Sequence, residues 1–211
     1  MKLILFSDRI NSSEVKTQLV NLTSERQLTI GYISSCPDPA RAFYNRSREY
    51  YARMGANLTP YFDLESGFDR SILEAVLTAD AIHLSGGNTF RFYYWIMQRG
   101  LRPRLLDYAC SGKVIVGVSA GAIIMTPDIS YSEFCGDCNE VGLEDFKGLG
   151  LVDFCFVPHL QKQDKTVEEI VKRSRRDRNR VIAASDFDWI VIDDSEITIY
   201  GEPIIITNGK L

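Results

Sequence analysis

Val114-Ile115-Val116-Gly117-Val118-Ser119-Ala120-Gly121-Ala122-Ile123-Ile124-Met125 reads as an apolar strand that breaks at small residues and opens directly into a helix. Such a junction forms a tight elbow. It lifts one hydroxyl clear of the sheet and turns backbone N–H groups toward whatever that hydroxyl attacks. Ser119 is therefore the leading nucleophile candidate, although small residues around a serine also occur in ordinary strand-to-helix turns.

A serine hydroxyl needs a base, usually histidine. The chain has two. His83 lies inside Ala81-Ile82-His83-Leu84, a strand-like run in which a satisfied core histidine is the expectation. His159 ends Phe154-Cys155-Phe156-Val157-Pro158, at the tip of another strand-like run, and strand tips are where open α/β sheets place their chemistry. His159 is the candidate base. The acid that would orient it is sought in the polar stretch between Ser119 and His159, among Glu133, Asp137, Glu140, Glu144 and Asp145. Glu133, which follows Ile129-Ser130-Tyr131-Ser132 on a possible short returning strand, is favoured, with Asp137 as runner-up.

Ala79 to Leu84 reads as a strand running into Ser85-Gly86-Gly87-Asn88 and then the apolar helix Thr89–Gln98. Paired glycines bring backbone N–H groups close to a ligand. The N–H groups of Gly87 and Ala120 are the candidate oxyanion-hole donors. Gly86 and Asn88 are the candidate substrate contacts, and Asn88 also suits a helix cap. The loop lacks the lysine and glycine spacing of a nucleotide-binding loop.

Strand-like runs at Leu3–Ser7, Leu28–Ile33, Asn57–Phe62, Ala81–Leu84, Val114–Val118 and Phe154–Val157 alternate with helix-like segments at Ser13–Glu25, Pro39–Met54, Ser71–Leu77, Thr89–Gln98 and Val167–Arg175. That alternation predicts a mostly parallel sheet covered on both faces, a three-layer α/β/α sandwich. The tail, with short runs at Val181–Ala184, Trp189–Ile192, Glu196–Tyr200 and Pro203–Ile206, predicts an antiparallel C-terminal extension of one sheet edge. With 211 residues, 45% of them hydrophobic and 25% charged, one soluble domain over residues 1–211 is expected.

A net charge of −4 disfavours nucleic-acid and membrane-surface partners, and no apolar run approaches a bilayer span. The first residues are too short for a signal-peptide core and read as a strand, so a cytoplasmic location is expected. Five scattered cysteines fit reduced thiols better than a disulfide framework. Cys135 and Cys138 have ligand-like spacing without further ligands, so no metal is expected. The basic run Lys172, Arg173, Arg175, Arg176, Arg178 and Arg180 reads first as a solvated face and second as an anion-recognising patch.

Taken together, Gly86-Gly87-Asn88-Thr89-Phe90, Gly117-Val118-Ser119-Ala120-Gly121-Ala122 and Gly150-Leu151-Val152-Asp153-Phe154 leading to Pro158-His159 give the chain its likeness to a known group. It resembles the peptidase E family of serine peptidases, which includes cyanophycinase and shares its fold with class I glutamine amidotransferases. The resemblance spans nearly the whole chain. It implies a serine nucleophile at Ser119, a base at His159, oxyanion donors at Gly87 and Ala120, and a class I glutamine amidotransferase-like sandwich without metal or cofactor. A glutamate acid, as in some members, fits Glu133. Val167 stands where the resemblance leads one to expect the arginine that holds a substrate aspartate, so a preference for N-terminal aspartate loses its charged partner.

The expected activity is acyl-enzyme hydrolysis of short peptides by a dipeptidase-like monomer or homodimer. The alternative is a weak or inactive binder of peptides or anionic ligands on the same fold. An α/β-hydrolase esterase would need more chain between Ser119 and His159, and an amidotransferase would carry cysteine at the elbow.

Overall fold

A computed structural model describes residues 1–9, 13–24 and 27–210. The chain opens with β1 (Lys2–Phe6) and α1 (Ser13–Thr23), then β2 (Thr29–Ser34), α2 (Ala42–Arg53), β3 (Asn57–Asp63), α3 (Arg70–Thr78) and β4 (Ala81–Leu84). Two helices, α4 (Thr89–Gln98) and α5 (Leu101–Cys110), lead to β5 (Val114–Val118), the short α6 (Ala120–Ile123) and a 3-10 segment at Ile129–Cys135. After β6 (Cys155–Val157) come α7 (Thr166–Asp177), β7 (Arg180–Ala183), β8 (Trp189–Asp193), β9 (Glu196–Tyr200) and β10 (Ile204–Thr207). Glu25, where the sequence pattern extends the first helix, lies outside the described residues.

The large sheet has the order β3-β2-β4-β5-β1-β8-β9. Its first five strands are parallel, and β8 and β9 then add antiparallel beyond β1. Alternation along each strand separates two cores, because successive side chains point to opposite faces. From β1, Leu3 and Leu5 face the layer of α3, α4, α5 and α6, while Ile4 and Phe6 face α1 and α2. Helices thus cover both faces, as the alternating pattern predicts.

Three features depart from the sequence expectation. The run at Phe154–Val157 does not join the parallel sheet: β6 pairs in parallel with β7, which pairs antiparallel with β10, in a separate three-stranded sheet. The edge of β1 that β6 would need is occupied by β8. The C-terminal extension is correspondingly divided, with β8 and β9 on the large sheet and β7 and β10 on the small one. Lastly, α5 is absent from the sequence-based helices. Pro103 interrupts the helical pattern there but sits in the first turn, where a missing N–H leaves no helical hydrogen bond unmade.

The small sheet joins the same molecule through shared cores. Phe156 of β6 and Ile182 of β7 pack into the cluster beneath α4 and α6, while Val157, Val181 and Ile206 pack beneath α7.

Two local features of this frame have measurable consequences. The elbow after β5 is possible because glycines remove side chains where backbones meet. A Cβ on Gly121 would lie 2.1 Å from the Leu84 carbonyl oxygen, and one on Gly117 would lie 2.4 Å from the Gly121 carbonyl oxygen. The obstructing atoms are backbone, so neither can swing aside. Gly121→Ala should destabilise the protein by about 3 kcal/mol or more, as overpacking does. Thermal unfolding should show a loss of roughly 6–12 °C in Tm. An unchanged Tm would refute this account of the elbow.

His83, on β4, is 1% exposed, stacks on Tyr32 at 5.1 Å and shares a 2.9 Å hydrogen bond between its Nδ1 and the Tyr51 hydroxyl. Burial, aided by the charge of Arg9, pushes its pKa down to about 3. The folded protein therefore leaves His83 neutral at a pH where the unfolded chain protonates it, so its contribution is present at neutral pH and lost as pH falls below about 6.5 toward 3. Between pH 7 and pH 5 that loss should be about 2 kcal/mol. Urea unfolding at both pH values should show a smaller difference for His83→Gln than for the parent by about this amount. Equal differences in the two proteins would show that His83 takes up its proton while folded.

Candidate active site

Ser119 adopts φ 51 and ψ −113, an unfavourable backbone position for a residue with a side chain. It is held by its N–H donating to the Phe6 carbonyl at 2.9 Å, while its own carbonyl accepts from Ala122 and Ile123. The strain is therefore fixed at both ends by regular structure, by β1 on one side and α6 on the other. The result is the elbow read from the sequence.

His159 follows β6 and also has a positive φ of 61. Its N–H donates to the fully buried Ser7 hydroxyl at 2.8 Å, and the next residue, Leu160, donates to the Ala184 carbonyl at 2.9 Å. Ser7 follows β1 of the large sheet, and Ala184 follows β7 of the small one. The imidazole is thus anchored to both sheets. Its Nε2 lies 3.0 Å from Ser119 Oγ, so the nucleophile and base candidates chosen from sequence are brought together.

The third partner is different from the one expected. His159 Nδ1 lies 2.6 Å from Asp186 Oδ1. Glu133 is not brought to the histidine: it sits on the 3-10 segment, and its Oε2 accepts from Arg173 Nη1 at 3.0 Å. Arg173 also donates to Ser130 and Asp177 and lies over the Tyr131 ring, which ties Glu133 to the α7 side of the small sheet. The runner-up Asp137 is occupied as well, accepting the Thr89 N–H at the start of α4 at 2.8 Å.

Asp186 lies in the turn between β7 and β8, and Asp188 fixes that turn. The Asp188 carboxylate is almost fully buried and accepts from the Ser185 N–H at 2.7 Å, the Ser185 hydroxyl at 2.9 Å and the Glu202 N–H at 2.8 Å. The available sequence signal was Ser185-Asp186-Phe187-Asp188 between two strand-like runs, an acidic turn at the end of a strand neighbouring the one that carries His159.

Gly87 has φ 143, and a Cβ there would meet Ser35 Oγ at 2.2 Å. The N–H groups of Gly87 and Ala120 donate to no protein acceptor among the described residues. Asn88 does not take the substrate-facing place expected of it. Its Oδ1 caps α4 by accepting the Arg91 N–H at 2.9 Å, and its Nδ2 donates to the Cys138 carbonyl at 2.9 Å. Capping of this kind is worth about 1 kcal/mol.

Gly86 and Gly87 line a cavity of about 220 Å³ at the C-terminal ends of β1, β2, β4 and β5. Ser119 and His159 line it as well, and Arg9, Tyr32, Cys36, Phe43 and His83 contribute to its walls. Val167 is not part of this lining and packs instead against the core beneath α7. Three members of the basic run have partners within the chain: Arg173 and Arg176 pair with Asp177, and Arg175 donates to the Gly209 carbonyl.

Burial pushes the Cys135 and Cys155 thiols up to about 12, so neither is a ready thiolate at neutral pH. No group of three or more His, Cys, Asp or Glu residues suited to a metal occurs among the described residues. No helix among them is long and apolar enough to cross a membrane.

Known proteins share this arrangement of chain. An uncharacterized peptidase of Pasteurella multocida is 26% identical over 159 residues, 75% of this chain and 76% of its own. Peptidase E of Salmonella arizonae is 28% identical over 168 residues, 77% of this chain and 68% of its own. The crystal structure of a candidate peptidase E of Listeria monocytogenes EGD-e superposes with a TM-score of 0.75 at 23% identity, covering 94% of this chain and 97% of that one, which shows the fold. The model of peptidase family S51 matches residues 3–200, and the chain belongs to that family of serine-type peptidases.

Proposed function

We propose that the chain hydrolyses short peptides through an acyl-enzyme formed on Ser119. One observation carries the reading: a single imidazole lies 3.0 Å from the elbow hydroxyl and 2.6 Å from a carboxylate. That is the geometry needed to remove a proton from one side while the cation formed is stabilised from the other.

In the acylation step Ser119 Oγ forms a bond to the scissile carbonyl carbon as its proton passes to His159 Nε2. Asp186 accepts the Nδ1–H bond, keeping Nε2 as the free acceptor and stabilising the imidazolium. The N–H groups of Gly87 and Ala120 converge on the oxygen that becomes negative, in a position where such donors contribute most in the transition state. The C–N bond then breaks as the leaving amine takes the proton from Nε2. Water, deprotonated by the same nitrogen, releases the acid and restores the serine.

The cavity of about 220 Å³ is below the roughly 300–1,000 Å³ of sites that enclose drug-sized ligands, which supports short substrates held by one or two residues. Val167 offers no charge, and this weighs against an N-terminal aspartate preference exerted from that position. Five free cysteines support a reducing, cytoplasmic setting.

Turnover of a dipeptide library should separate the roles. Ser119→Ala should lose activity by about 10⁴-fold or more, and Asp186→Asn by about 10²–10⁴-fold, each with the fold retained by circular dichroism. Glu133→Gln should stay within about threefold, because surface ion pairs contribute little. Full activity in Asp186→Asn together with collapse in Glu133→Gln would reverse the assignment of the acid.

A further inference from the structure

Arg9 lines the same cavity as Ser119 and His159, yet the hydrolytic steps make no use of it. Its side chain is only 24% exposed, and its Nη1 donates to the Ser47 hydroxyl on α2 at 2.8 Å. The carboxylate beside it in sequence, Asp8, keeps Oδ1 4.0 Å from Nε, beyond hydrogen-bond reach, and spends that oxygen on the Arg9 backbone N–H at 2.7 Å. Elsewhere the guanidinium groups of Arg91, Arg104 and Arg173 each meet a glutamate directly, at 2.5 Å, 2.7 Å and 3.0 Å.

Two of the titratable walls, Tyr32 and His83, bring no charge to the cavity at neutral pH. Burial pushes the Tyr32 hydroxyl up to about 12 and His83 down to about 3, so both are neutral there. A guanidinium carries five N–H donors in a planar fork, and a single hydroxyl partner leaves the fork able to take a planar, two-oxygen anion. Tyr32, Phe43 and Val118 give the same cavity aromatic and apolar wall, which reduces competition from water.

We infer that Arg9 is a specificity-determining residue that receives a carboxylate of the peptide bound for cleavage at Ser119. The inference rests on the hydrolytic reading of that site. An acidic side chain and a free C-terminal carboxylate present the same chemistry to the fork, and the substrates below distinguish them.

The test uses three matched pairs of peptides: Leu-Leu against Leu-Leu-amide, Leu-Glu-amide against Leu-Gln-amide, and Glu-Leu-amide against Gln-Leu-amide. In the parent protein the carboxylate-bearing member of at least one pair should be favoured in kcat/KM by about 10–100-fold, as hydrogen bonds to charged groups allow. The pair that shows it identifies the source. Arg9→Met should reduce that ratio to near one, mainly through KM, and Arg9→Lys should restore part of it, because it keeps the charge without the fork. No preference in any pair, or an undiminished ratio in Arg9→Met, would overturn the inference.

Binding of the same pairs to Ser119→Ala, measured by calorimetry, separates this idea from the hydrolytic one. Carboxylate-dependent binding that disappears in the Ser119→Ala, Arg9→Met double variant, alongside a parent that cleaves no peptide, sustains Arg9 and removes hydrolysis. Cleavage by the parent without any carboxylate preference sustains hydrolysis and removes Arg9.

Discussion

The close backbone approach of Gly121 to Leu84 is the constraint on which the site depends. With no Cβ at Gly117 or Gly121, α6 can start immediately behind β5 and press against the end of β4. Ser119 is then forced into a positive φ, and the Phe6 carbonyl takes its N–H. The same contact sets the elbow beside the Gly86-Gly87 turn, so the hydroxyl and the N–H groups of Gly87 and Ala120 come from the ends of two adjacent strands of one sheet. A larger residue at either glycine would have to move backbone, and everything positioned from that turn would move with it.

The other half of the site is built by a different sheet. His159 leaves β6 and Asp186 leaves β7, two neighbouring parallel strands, so the small sheet presents the imidazole and the carboxylate together. Buried polar groups lock this pair to the large sheet. Ser7 takes the His159 N–H, and Asp188 gathers the turn that bears Asp186, each satisfying groups that would be costly to leave unpaired in the interior. The polar cluster is therefore both structural and positional.

The legibility of the sequence followed locality. The β5 elbow, the Gly86-Gly87 turn and the bounds of α4 are encoded within a few consecutive residues, and each could be read directly. His159 was readable because the chain offers only two histidines and the other lies within an apolar strand. Asp186 was not readable from the interval searched, since its partnership with His159 depends on β6 and β7 pairing in a sheet of their own. Nothing in the alternation of β6 announces that β8 has taken the place beside β1. Glu133 was plausible by spacing, but spacing does not reveal that Arg173 lies across the 3-10 segment to claim it. Asn88 shows the same limit in reverse: its capping signal was legible, while its second bond, to the Cys138 carbonyl, depends on a loop fifty residues away.

The division of the reactive groups between two sheets separates what is stiff from what can be adjusted. A sub-ångström slip along the seam would lengthen the Ser119 to His159 contact while leaving the His159 to Asp186 pair intact. Reactivity in this architecture can thus be graded by packing at the junction, with no exchange of any of the three side chains. The apolar residues where β6 rests against α6, far from the reacting atoms, therefore bear on how closely the imidazole approaches the hydroxyl.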